Sequence, residues 1–263
     1  MTGSVGSNGW AALGGQLQRR DRVRLVAQAL LTQLSAIPVQ LRSRLGFAES
    51  LFRRSDPAAI RVPDSTAAVR ASELSLSLSE PWLFNHCMRT YVWGGLLAQA
   101  EGIRFDQELF FVASLLHDLG LTQLHDCKDQ GCNCFAVEGA RAARRFASVQ
   151  GWDSQRCDQL AEAISLHLNV RVGLKHGAEA HLLHEGAALD VIGTRVWQLD
   201  PRAVAGVLTE YPRLGFQEEM VKSMKAQTRV RPRSRAAFLV GLGLIGKIRS
   251  SGLEANRIAS VDA

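Results

Sequence analysis

Phe110-Phe111-Val112-Ala113-Ser114-Leu115-Leu116-His117-Asp118-Leu119-Gly120 is the stretch that decides how this chain is read. It is an apolar helix that ends in a histidine and an aspartate side by side, with a further histidine, His86, one helix earlier. Imidazole nitrogen and carboxylate oxygen together suit a borderline or hard divalent metal. Water on such an ion is a nucleophile near neutral pH.

The neighbouring candidates fall on the same kind of face. Asp106 is placed as an N-cap, and Leu109, Phe110, Ala113, Leu116 and His117 follow at helical spacing. Pro81 opens the preceding helix after Ser79, and Trp82, His86, Trp93 and Leu97 form one stripe. Asp190 follows Leu183 and Ala187 in the same way. Burying these polar groups is costly unless they are paired, and a shared metal ion is an economical partner. The residues therefore predict one divalent ion held by His86, His117, Asp118 and Asp190.

This His, His-Asp, Asp order resembles the signature of the HD-domain metallohydrolases, an all-α superfamily. Four runs are similar to its cyanamide-hydratase-like branch: Asn85-His86-Cys87-Met88-Arg89-Thr90-Tyr91, the His-Asp-Leu-Gly-Leu-Thr run at 117–122, Phe135-Ala136-Val137-Glu138-Gly139-Ala140, and Leu189-Asp190-Val191-Ile192-Gly193. The resemblance spans roughly residues 56 to 245. It implies an all-α, single HD-type domain with extra terminal helices. It also implies that His167, on a face with Leu160, Ala163 and Ile164, serves the pocket by substrate contact or proton transfer. Glu138 gains a supporting place near the substrate, beside the plainer reading of a carboxylate near a helix start within reach of Arg141.

Punctuation along the chain predicts the rest. Residues 1–15, rich in Gly and Ser, read as disordered, and 16–55 as an N-terminal helical extension of two helices broken near Pro38. Residues 56–213 form the metal-binding core, with helices near 64–77, 81–100, 106–117, 136–150, 154–168 and 178–192 and another after Asp200-Pro201. A basic extension over 214–263 carries helices near 216–228 and 234–248. No strand alternation and no repeat is found.

Composition sets limits. A hydrophobic content of 46% in 263 residues suits one sizeable core. No apolar run reaches the roughly 18 residues of a membrane span. The segment after Arg24 is too interrupted by polar residues for a signal peptide, so the chain is read as cytoplasmic. The net charge of +6 is concentrated between Met220 and Ser250, where no acid occurs. Without interleaved aromatics that stretch reads as a solvated face rather than a nucleic-acid surface. A homo-oligomer is compatible with the sequence.

Other residues carry weaker signals. Arg89, one turn after His86, is a candidate for binding a substrate anion, or a partner for Asp118 or Asp190. His181 and His184 read as exposed rather than as a second metal site. Cys127, Cys132 and Cys134, with His125 nearby, do not match the common zinc spacings and read as reduced thiols in a loop over the site.

The expected function is a metal-dependent hydrolase or hydratase. An activated water would attack a small substrate, of the cyanamide or nitrile type that the resemblance implies. Asp118 and His167 would handle protons, and Arg89 and Glu138 would contact substrate. Zinc or iron fits a His2Asp2 set best, with manganese as an alternative. The competing expectations are a phosphohydrolase acting on nucleotides or phosphate esters and a non-catalytic, metal-containing ligand sensor.

Overall fold

Capping residues written in the sequence set many of the element ends. Asp106, Asp153 and Asp200 each accept a hydrogen bond from a backbone N–H of the helix they open, at 2.8–2.9 Å. Pro81 and Pro201 occupy first-turn positions, and Gly102 and Gly193 close their helices in the left-handed conformation. The computed structural model describes residues 4–42, 56–122 and 134–254, with the backbone alone for residue 30 and residues 32–42.

In chain order the helices are α1 (Asn8–Ala12), α2 (Arg19–Arg42), α3 (Thr66–Leu78), α4 (Pro81–Glu101), α5 (Gln107–Leu116), α6 (Phe135–Val149), α7 (Ser154–Leu166), α8 (Ala178–Ile192), α9 (Pro201–Glu210), α10 (Phe216–Val230), α11 (Arg235–Gly241) and α12 (Leu244–Ser250). The chain is all-α, with no strand among the described residues. No helix among them is long and apolar enough to cross a membrane.

α4 is the axis of the bundle. Every residue from His86 to Ala98 is buried, so the helix is enclosed on all sides rather than along the single stripe the periodicity predicted. It packs most closely on α8, at a crossing made by two glycines. A Cβ on Gly186 would run into the Thr90 carbonyl and come within 3.0 Å of the Gly94 nitrogen. That approach sets His86 and Asp190 side by side. A second close approach seats the His-Asp turn on α6, where a Cβ on Gly139 would lie 2.8 Å from the His117 carbonyl.

Two apolar clusters result. The larger gathers α3, α4, α5, α7 and α8 around Trp93, Leu96, Phe110, Phe111, Leu160 and Leu182. The smaller joins the terminal extensions to the start of α6: Trp10, Leu17 and Leu25 meet Phe135, Val137, Phe216, Met220, Met224 and Ile248. Arg235 fastens this second cluster. Its Nη1 donates to the Ser165 carbonyl (2.6 Å) and to Asn169 Oδ1 (2.9 Å), Nη2 lies 3.2 Å from Cys134 Sγ, and its guanidinium stacks over Trp10.

Four sequence expectations are corrected. Asn8–Ala12 is helical with Trp10 buried, where glycine and serine content predicted disorder; burial of one large aromatic orders the segment. α2 runs unbroken through Pro38. The single helix expected over 234–248 is two, separated at Gly243, whose φ of +91° only glycine adopts without strain. His184, expected to be exposed, is buried.

Candidate metal centre

Three ligand atoms converge where α4 passes the end of α5. His86 Nε2 lies 3.3 Å from His117 Nε2, and Asp118 Oδ2 lies 3.5 Å and 3.4 Å from the two nitrogens. All three residues are buried. The opposite nitrogen of each ring has a fixed acceptor: His86 Nδ1 is 2.7 Å from Asp190 Oδ2, and His117 Nδ1 is 2.8 Å from the Ser114 carbonyl. Those acceptors put the ring protons on Nδ1 and leave both Nε2 lone pairs facing one another.

Two lone pairs and a carboxylate oxygen repel unless positive charge lies between them. A tetrahedral ion at ordinary zinc–nitrogen distances separates its ligands by about 3.3 Å, close to the edges of this triangle. The donor set therefore fits a divalent metal. The electrostatics show the same demand for positive charge, which a proton on Nε2 also meets. Burial disfavours the charged form of His117, but Asp118 beside it outweighs this and pushes the pKa up to about 10. Burial of His86 is likewise outweighed, by hydrogen bonds to Asp118 and Asp190, and its pKa rises. Burial alone would raise Asp118, yet the His117 charge holds it well below the usual carboxylate range.

Asp118 has a second face. Among the described residues its Oδ1 is buried without a hydrogen-bond partner, and His167 Nε2 lies 3.6 Å from it. His167 Nδ1 is fixed by the Ile164 carbonyl at 2.6 Å, so Nε2 is also an acceptor. Burial, together with the His117 charge, pushes the His167 pKa down to about 3. A neutral histidine and an ionised carboxylate thus present two acceptors to one point. A water, with two hydrogens to donate, would satisfy both.

The remaining sequence candidates are placed as follows. Asp190 does not join the triangle; it lies on the far side of the His86 ring. Arg89, considered for a substrate anion, is fully buried and spoken for. Its Nε and Nη2 bind Asp190 at 2.7 and 2.9 Å, and Nη1 donates to the Tyr211 and Pro212 carbonyls. The pairing with Asp190 is the arrangement found, because a buried guanidinium needs a carboxylate more than a buried carboxylate needs a distant ligand. Glu138 pairs with Arg141 at 3.2 Å, the plainer of its two readings. The Nδ1 atoms of His181 and His184 face the Val172 and His167 carbonyls at 2.7 and 2.9 Å. Cys134 is buried. His125, Cys127 and Cys132 lie outside the described residues.

Two residues escaped the sequence reading. Phe216 lies against the His86 ring (4.9 Å between centroids), and Arg213 Nη1 reaches the Asp190 carbonyl (3.1 Å) and Oδ1 (3.3 Å). Both come from the loop and helix after α9, and nothing in their local sequence ties them to His86.

Residues 83–198 match the HD domain. HD domains make up a superfamily of metal-dependent hydrolases, and the match encloses the convergent His-His-Asp group as well as Asp190. No curated protein matches the chain. Arg213 and Phe216 lie beyond the HD match, so the C-terminal extension adds its own side chains to the surroundings of His86.

Proposed function

We propose that this HD domain is a hydratase or hydrolase for a small, weakly charged carbon–nitrogen compound of the cyanamide or nitrile type. His86, His117 and Asp118 would hold one divalent ion, with zinc or iron favoured by the donor set and manganese an alternative. When bound, such an ion supplies Lewis acidity, which lowers the pKa of water and polarises the acceptor atom.

The observation that carries the reading is the pair of acceptors beside that group, Asp118 Oδ1 and His167 Nε2. Adding water across a carbon–nitrogen triple bond moves both water protons from oxygen to the substrate nitrogen, one in the addition that gives the imidic acid and one as that acid tautomerises to the amide. Asp118 Oδ1 would take the first of these protons and return it to nitrogen, and His167 Nε2 would accept from the water or a substrate N–H and fix its orientation. Phe135 and Phe216, stacked near His167 and His86, keep bulk water away. Cyanamide would give urea, and a nitrile its amide.

Charge balance supports a weakly charged substrate. Arg89 directs its charge to Asp190, as does Arg213 through Nη1, where a phosphate ester would call for a free cation beside the ion. One observation favours the phosphohydrolase reading: among the described residues, Arg213 Nη2 is buried without a hydrogen-bond partner. The deciding assay loads the protein with zinc, iron or manganese. It then measures urea or ammonia from cyanamide and small nitriles, and phosphate from nucleoside mono- and triphosphates. Urea formation is expected; phosphate release without hydration would transfer the assignment to the phosphohydrolases and give Arg213 the phosphate.

A further inference from the structure

Among the described residues, Asp190 is the most heavily bonded buried carboxylate. Oδ1 accepts from Arg89 Nε (2.7 Å), Trp93 Nε1 (3.0 Å) and Arg213 Nη1 (3.3 Å). Oδ2 accepts from Arg89 Nη2 (2.9 Å) and His86 Nδ1 (2.7 Å). A carboxylate offers about four lone-pair positions, and five donors already claim them.

We infer that Asp190 is a positioning residue for His86 and not a ligand of the ion, which takes only His86, His117 and Asp118 from the protein. The inference rests on the metal centre proposed above and departs from the four-ligand expectation of the sequence. Three features support it. The fork of Arg89 binds both oxygens of Asp190, and with both residues fully buried no water can replace a donor that leaves. The His86 ring also stands between Asp190 and the convergent atoms: Nδ1 faces the carboxylate and Nε2 faces the group. Finally, a carboxylate on Nδ1 fixes the ring's tautomer and rotation and makes Nε2 a stronger donor to a cation.

The consequence is an ion with more open positions. With three protein ligands, at least one position remains for water in a tetrahedral site, and two or more when substrate binding expands the coordination. Arg213 then matters at second hand. It reaches from beyond the HD match to hold Asp190, so the C-terminal extension acts on the ion through Asp190 and His86.

Metal affinity and coordination test this directly. Asp190→Asn keeps an acceptor for His86 Nδ1, and Asp190→Ala does not. Loaded with cobalt(II), the Asn variant should retain about one ion per chain with affinity weakened 10–100-fold, and its ligand-field spectrum should keep the wild-type coordination pattern. The Ala variant should bind more weakly still, and Asp118→Asn should lose the ion. Metal loss in Asp190→Asn equal to that in Asp118→Asn, or bands showing one ligand fewer, would overturn the inference. Should either Asp190 variant fail to fold with two unpaired arginines inside, a crystal structure of the zinc-loaded wild-type chain decides the matter alone. Asp190 Oδ2 should remain on His86 Nδ1, whereas an Asp190 oxygen about 2.0–2.2 Å from zinc would contradict it. A wild-type chain that takes up no ion would overturn the metal centre itself, and this inference with it.

Discussion

His86 and His117 share one habit with His181 and His184: each ring has a fixed acceptor at Nδ1. They differ at the other nitrogen. The Nε2 atoms of the first pair face each other and Asp118 Oδ2 within 3.5 Å, whereas the nearest carboxylate to His184 Nε2 is Glu185 at 4.0 Å. Burial does not separate them, since His184 is buried like His86. A buried histidine becomes a ligand when its second nitrogen meets others at a common point, and remains structural when that nitrogen meets none.

The sharpest way to break this comparison is to exchange the roles. Replacing His86 or Asp118 by alanine should reduce bound metal to under about one-tenth of an ion per chain, while His184→Gln should leave it unchanged; each bound ligand contributes a share of a binding energy on the order of 10 kcal/mol. Metal analysis after gel filtration reads both. Equal losses in the two sets would erase the distinction between them.

Phe216→Ala probes the wall beside His86. Removing a fully buried phenylalanine costs about 3–5 kcal/mol of stability, measurable as a lower urea midpoint. The cavity beside His86 should also weaken metal binding. A stability loss without any change in affinity would show that Phe216 packs the extension and nothing more.

Gly186→Ala asks whether the α4–α8 crossing sets the centre. The added methyl meets the Thr90 carbonyl, a backbone atom that cannot swing aside, and such overpacking costs about 1–3 kcal/mol. The shift should loosen the His86–Asp190 contact and weaken metal binding, whereas Gly206→Ala, in open space, should do neither.

The smallest effect concerns His184. Burial, set against the nearby Glu185 charge, lowers its pKa below the ordinary 6.5. The unfolded chain therefore binds this proton more readily than the folded one. The stability His184 contributes is present above about pH 6.5 and is lost as pH falls below that value. His184→Gln should flatten the fall in urea midpoint between pH 7 and pH 5. An unchanged slope would remove His184 as its source.

How much of this was legible follows from the range of each interaction. The His117-Asp118 pair and His86 were readable because each lies on a helix whose caps and apolar spacing are local. The all-α fold was readable for the same reason, with Pro81, Asp106 and Asp200-Pro201 marking the starts of helices. The setting of Asp190 was not. Its donors Arg89, Trp93 and Arg213 come from two distant parts of the chain, and no periodicity encodes which oxygen each one takes. Phe216 was hidden likewise, since an aromatic at the start of a basic helix reads as ordinary packing. Trp10 failed in the opposite direction: its glycine-rich surroundings signal disorder, and long-range contacts hold it, with Trp10 beneath Arg235 and Asn8 donating to the Asp158 carbonyl.

The most direct test of the central claim is the metal content of the wild-type chain. Purified protein should be stripped with chelator, offered zinc, iron(II) or manganese in turn, and analysed after removal of free ion. The convergence of His86, His117 and Asp118 predicts about one ion per chain for at least one of these metals. Less than about one-tenth of an ion per chain with all three would contradict it.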